Sequence, residues 1–243
     1  MLTAIHTHLL ADDIRTGELT GSVSIVVDVL RASSTIVTAL SNGAEAVIPC
    51  RTVDETNAIA EQNPDMLRGG ERHGVLIDGF NFSNSPADYL ATALSGRSVA
   101  FTTTNGTRAL LRCAGADRVF IGCFLNLGHL ERSLRSCQRP LHIVCAGTTG
   151  QVTGEDVLFA GALTRRILDS GLPPPVLTDA TQIALGFFDA GRDRSLAQRL
   201  QATQGGRNLT DLGLASDIAF VSQTDSVSLL AEFLPNERRI VAS

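Results

Sequence analysis

The chain has 243 residues, 44% of them hydrophobic and 19% charged, and a net charge of −5. That length can bury a sizeable core in one large domain or two small lobes. The acidic balance, the lack of Trp and the single Tyr argue against nucleic acid or an anionic membrane as partner. All 20 basic residues are arginine, so no lysine can act as a Schiff-base nucleophile or phosphate anchor. An anion must be held by arginine, backbone N–H groups or a metal.

Along the chain, MLTAIHTHLL carries no basic leader, and no apolar run nears the roughly 20 residues of a membrane span. His6 and His8 fit alternation on a strand, with a metal pair as the alternative reading. Strands are predicted at 22–29, 45–50, 65–69, 97–103, 117–122 and 141–146. Helices are predicted at 33–42, 53–62, 86–95, 106–114, 125–136 and 155–169. Ser85-Pro86 supplies a cap and a first-turn proline, and Glu155-Asp156 put carboxylates in a first turn. The alternation implies a three-layer α/β/α fold with a largely parallel or mixed central sheet. After Pro173-Pro174-Pro175, LTDATQIALGFFDA and DRSLAQRLQAT read as helices, Gly205-Gly206 as a loop and SDIAFVSQ as a last strand. The expected division is a main lobe of 1–170 and a mainly helical C-terminal part of 171–243, or one single domain. Five scattered cysteines without a C-x-x-C pair read as buried, reduced thiols in a cytoplasmic protein.

Polar residues gather after the strands. SIVVDV is followed by Leu30-Arg31-Ala32-Ser33-Ser34-Thr35, the 65–69 segment by GERHG, and SVAFT by Thr103-Thr104-Asn105-Gly106-Thr107. HIVCA is followed by Gly147-Thr148-Thr149-Gly150 and then Glu155-Asp156. In open parallel sheets, ligands bind beyond the carboxyl ends of the strands, where such loops offer N–H groups. Asp28, ending an apolar strand, is costly to bury without a metal or a hydrogen-bonded role. Arg31 is either its salt-bridge partner or a clamp on an anion. GFNFSNSPADY is either a long helix cap or a donor-rich loop gripping substrate oxygens.

The Walker pattern fails for want of lysine, Cys145 has no arginine six positions on, and Leu30 breaks an Asp-x-Asp motif after Asp28. A G-x-S-x-G elbow is absent, and the histidines offer no positioned base. That leaves Asp28, Glu71, Glu155 and Asp156 as metal-centred candidates, with oxygen ligands that suit Mg²⁺ or Mn²⁺.

VVDVLRASSTIVTAL, GGERHG, GFNFSNSPADY, TTTNGT and CAGTTGQVTGEDVLFAG, in this order, together resemble the 2-phosphosulfolactate phosphatase family of coenzyme M biosynthesis. A weaker echo lies at Gly213 to Asp217. The resemblance implies an α/β fold and Mg²⁺-dependent hydrolysis of (2R)-2-phospho-3-sulfolactate, a small anionic phosphorylated substrate. It places Asp28, Glu155 and Asp156 near the metal and Arg31 facing anionic groups; the catalytic candidates are Asp28, Arg31 and Glu71. Ser33, Ser34, Arg72, Asn81, Ser83, Asn84, Ser85, Thr104, Asn105, Gly106, Thr107 and Thr148 are the substrate-binding candidates. A homodimer is the default expectation for assembly.

Overall fold

Short aliphatic runs form the strands, and the twofold repeat of the pleat decides which face each residue takes. In the computed structural model, which describes residues 1–90 and 94–243, the first six strands are β1 (Ala4–His8), β2 (Val23–Val27), β3 (Val47–Cys50), β4 (Leu67–Arg72), β5 (Val75–Leu76) and β6 (Val99–Thr102). β7 (Arg118–Gly122), β8 (Leu141–Cys145), β9 (Val176–Leu177), β10 (Ala231–Leu234) and β11 (Arg239–Ala242) complete one sheet. The helices are α1 (Ala32–Ser41), α2 (Val53–Gln62), α3 (Gly106–Arg112), α4 (Leu127–Leu134) and α5 (Gly154–Leu168). The C-terminal segment adds α6 (Asp179–Asp189), α7 (Leu196–Gln201), α8 (Gln204–Asp211) and α9 (Ala215–Val221).

The strand order is β5-β4-β6-β3-β11-β10-β7-β2-β8-β1-β9. β4, β6 and β3 are parallel to one another, as are β7, β2, β8, β1 and β9. The hairpin β10–β11 joins these halves through three antiparallel pairings, at β3, within itself and at β7. An odd number of antiparallel pairings leaves the two parallel halves running in opposite senses. Both faces of the sheet are covered, as parallel strands require. On β2, Val26 joins a core with α1, α3 and residues of both halves, including Val47, Val99 and Phe101. Val23, Ile25 and Val27 point the other way, into a core with α4 and α5. The result is the expected α/β/α layering with a mixed sheet.

Several elements depart from the sequence reading. SDIAFVSQ is the helix α9, because Ile218 and Val221 recur at helical spacing on its buried face. Gly205 and Gly206 open α8 instead of a loop. A Cβ on Gly206 would lie 2.0 Å from the Leu200 carbonyl oxygen, so the α7–α8 approach, not loop freedom, requires the glycine. Thr203 caps this helix by accepting the Gly206 N–H. The predicted helix 86–95 is a 3₁₀ turn over Pro86–Leu90, and residues 91–93 of that prediction lie outside the described residues. All five cysteines are free thiols, and Cys137 is half-buried where burial was expected.

Candidate active site

Four segments that were expected to carry function meet at one cavity of about 400 Å³. Asp28, Leu30 and Arg31 follow β2; Glu71, His73 and Gly74 belong to the β4–β5 hairpin; Thr104, Asn105, Thr148 and Thr149 follow β6 and β8. Asn84 and the α8 residues Gly205, Asn208 and Asp211 close the wall. Although the two halves of the sheet run in opposite senses, the loops that follow β6 and β8 meet. Thr149 N–H donates to the Asn105 Oδ1 at 3.1 Å.

Asp28 is half-buried at this junction. Its Oδ1 accepts the Ala32 N–H at 3.3 Å, in the first turn of α1. A Cβ on Gly106 would lie 2.7 Å from its Oδ2, so only glycine lets the 103–107 loop approach the carboxylate so closely. Burial, reinforced by the charges of Glu155 and Glu71, pushes its pKa up to about 7, against the opposing Ala32 hydrogen bond and Arg31. Asp156 is buried behind it, and each of its oxygens accepts a backbone N–H: Val29 at 2.9 Å and Gly147 at 3.0 Å. It thereby ties the loop after β2 to the loop after β8. Burial, with Glu155 and Asp28 nearby, raises its pKa well above the usual carboxylate range.

Glu155, only 2% exposed, has an Oε2 with no hydrogen-bond partner. It packs under Gly205, where a Cβ would come within 2.4 Å of its Oε1. An orphaned carboxylate oxygen beside a second carboxylate of raised pKa suits a cation. Among the described residues, no group of three or more His, Cys, Asp and Glu is spaced to hold a metal ion. A divalent cation there would have these carboxylates alone as side-chain ligands, with water or substrate oxygens completing its shell.

Glu71 does not point an idle carboxylate at the cavity. Its Oε1 accepts both the N–H and the hydroxyl of Thr104 at 2.8 Å, and its Oε2 accepts the Gly74 N–H at 2.7 Å. It locks the hairpin to the 103–107 loop. Arg31, 3% exposed, is paired with Asp217 at 2.8 Å, not with Asp28, and donates to the Gly74 carbonyl at 2.7 Å. Of the two readings of Arg31, the salt bridge to Asp28 is absent, and its carboxylate partner comes from α9. The Asn84 carboxamide Oδ1 is buried in the cavity wall without a hydrogen-bond partner.

Other candidates turn away from the cavity. Ser33 accepts the Asp28 N–H and Ser34 donates to the Val29 carbonyl, so both hydroxyls shape the strand-to-helix turn. Arg72 donates to the Glu71 carbonyl and the Thr102 hydroxyl. Asn81 accepts from the Arg68 N–H, and Ser83 donates to Asp88. Ser85 donates to Asp217 at 2.6 Å, and Thr107 faces an adjoining groove beside Arg51.

The sequence reading missed Asp217, whose only signal was the faint motif at 213–217. It also found no positioned histidine, whereas His73 lines the cavity. His73 and Thr149 both hold left-handed backbone, φ 55° and 51°, a strained conformation that collects at functional sites. The contribution of α8 had no signal, because its glycines read as a loop.

An α/β fold that gathers carboxylates, an arginine and amide-bearing loops round one cavity defines an enzyme for a small anion. The family model described as 2-phosphosulpholactate phosphatase matches residues 8–234. Proteins named probable 2-phosphosulfolactate phosphatase are similar over most of their length. That of Symbiobacterium thermophilum is 42% identical, covering 89% of this chain and 93% of its own. That of Pseudothermotoga lettingae is 39% identical, covering 87% and 89%. That of Caldicellulosiruptor saccharolyticus is 33% identical, covering 96% of each. The chain belongs to the 2-phosphosulfolactate phosphatase family and is a phosphoric monoester hydrolase.

Proposed function

We propose that the enzyme hydrolyses (2R)-2-phospho-3-sulfolactate to 3-sulfolactate and phosphate, in a Mg²⁺-dependent reaction in the cytoplasm. The observation that carries this reading is the convergence of Asp28, Arg31, Asn84 and the Thr104 and Thr148 loops on one cavity. The substrate bears phosphate, carboxylate and sulfonate, and the cavity offers an arginine and an uncommitted carboxamide to such oxygens. Asp28 and Glu155 would hold Mg²⁺, with Asp156, next to Glu155 on α5, fixing the loop that carries Asp28 and the loop after β8. Bound there, the ion would supply positive charge against the phosphoryl oxygens.

Asp28 faces the phosphoryl group, Arg31 clamps an anionic oxygen, and Glu71 keeps the Thr104 loop in place to receive another. α8 and the hairpin tip form part of the cavity wall. Rapid quench distinguishes phosphate that passes through an Asp28–phosphoryl bond from phosphate that goes directly to water. The five free thiols suit a reducing compartment, and among the described residues no helix is long and apolar enough to cross a membrane.

Phosphate release from a panel of phosphorylated carboxylic acids, with and without chelator, tests the assignment. The phosphate ester that carries the sulfonate is expected to give the highest kcat/KM, and chelator is expected to abolish its turnover. Equal kcat/KM for phospholactate would remove the sulfonate from the reading, and chelator-resistant turnover would remove the metal.

A further inference from the structure

We infer that Asp217 is the positioning residue of the anion site: it sets the aim of Arg31 without touching the substrate. The inference rests on the proposed role of Arg31 as an anion clamp. Arg31 lines the cavity and Asp217 does not. The two are buried to 3% and 2% exposure and meet at 2.8 Å. The second oxygen of Asp217 accepts the Ser85 hydroxyl at 2.6 Å. On its other side, the guanidinium donates to the Gly74 carbonyl at 2.7 Å. Gly74 is in turn held by Glu71 through its N–H.

A guanidinium has five N–H donors in a rigid plane. Spending one on each flank fixes that plane and leaves three for a ligand. A flexible arginine would have to be ordered by each anion that bound. Here the ordering is done by the fold, so the anion loses less affinity to it. The chain supplies this from three distant places: Arg31 after β2, Ser85 before the 3₁₀ turn, and Asp217 on α9. The C-terminal helical segment therefore does more than cover the sheet. It carries the residue that makes Arg31 an anion receptor with a fixed direction. Ser85, expected to touch substrate, serves in this arrangement to hold the Asp217 carboxylate.

The test measures KM, kcat and the affinity for inorganic phosphate in the wild type, Asp217→Asn, Ser85→Ala, Arg31→Gln and the Arg31→Gln/Asp217→Asn double variant. Loss of a charge-assisted contact predicts that Asp217→Asn raises KM and weakens phosphate binding about tenfold, with kcat changed much less. Ser85→Ala moves both in the same direction by a smaller factor. The double variant is no worse than Arg31→Gln alone, because Asp217 acts only through Arg31. A folded Asp217→Asn with wild-type KM and phosphate affinity overturns the inference, as does a double variant whose losses multiply. Should Asp217→Asn fail to fold, Ser85→Ala decides, and wild-type KM and phosphate affinity in that variant overturn the inference. Failure of the substrate reading looks different. The wild type would then bind inorganic phosphate but release none from 2-phospho-3-sulfolactate, and the phosphate affinities would still rank the variants.

Discussion

At the scale of single residues, the site is a group of carboxylates held against their own preference. Asp28 titrates near 7 in the fold against an ordinary 3.8, chiefly because it is buried. A raised carboxylate costs nothing while protonated, so its penalty grows as pH climbs from about 4 and is complete above about 7. His142 works in the opposite direction: burial, with His6 and His8 beside it, lowers its pKa to about 4 from 6.5. It costs nothing while neutral, and its penalty grows as pH falls from about 6.5 to about 4. The two slopes oppose each other in one protein but separate in a difference. Without divalent cation, Asp28→Asn melts at nearly the same temperature as wild type near pH 4 and at a higher one at pH 8. Thermal melts across that range check this, and a gap that shrinks as pH rises contradicts it. Asp28 was legible because a carboxylate at the end of an apolar strand is chemically out of place. Arg31 was legible as a charge but not as a pair, since Asp217 lies 186 positions away and nothing local announces it.

At the scale of elements, loops are fixed by carboxylates more than by turn residues. Glu71 binds three donors from Thr104 and Gly74, so the β4–β5 hairpin and the loop after β6 move as one. Glu71→Gln leaves at least one of those part-buried donors facing an amide N–H, at a cost of about 1 kcal/mol. The expected readout is faster amide exchange at Thr104 and Gly74 and a raised KM. Unchanged exchange at both would show that the carboxylate does not hold the loop. The main strands and most helices of the first 170 residues were legible because their apolar periodicity is strong. α8 and α9 were not. A glycine pair that permits close helix packing looks the same in sequence as one that opens a loop, and a seven-residue apolar helix mimics a strand.

At the scale of the whole molecule, the last strands matter more than their position suggests. β10 and β11 lie in the middle of the sheet and join its two halves. Their signal was present in AEFLPNERRIVA, two alternating runs round a Pro-Asn turn, but the helical look of the preceding segment obscured it. Deleting residues 229–243 removes this joint, so the truncated chain is expected to show no cooperative melting transition. A sharp melt with retained turnover would refute that architecture. The hairpin also sets the relative sense of the two halves whose strand ends build the cavity. The site is therefore a product of the complete chain, including α8 and α9, and Asp28 stands where its parts meet. The most direct measurement is phosphate release from 2-phospho-3-sulfolactate by wild type and Asp28→Asn with Mg²⁺ present, in proteins shown to be equally folded. Turnover in the wild type and a loss of at least about a hundredfold in the variant is the predicted result; near-normal turnover by Asp28→Asn would contradict it.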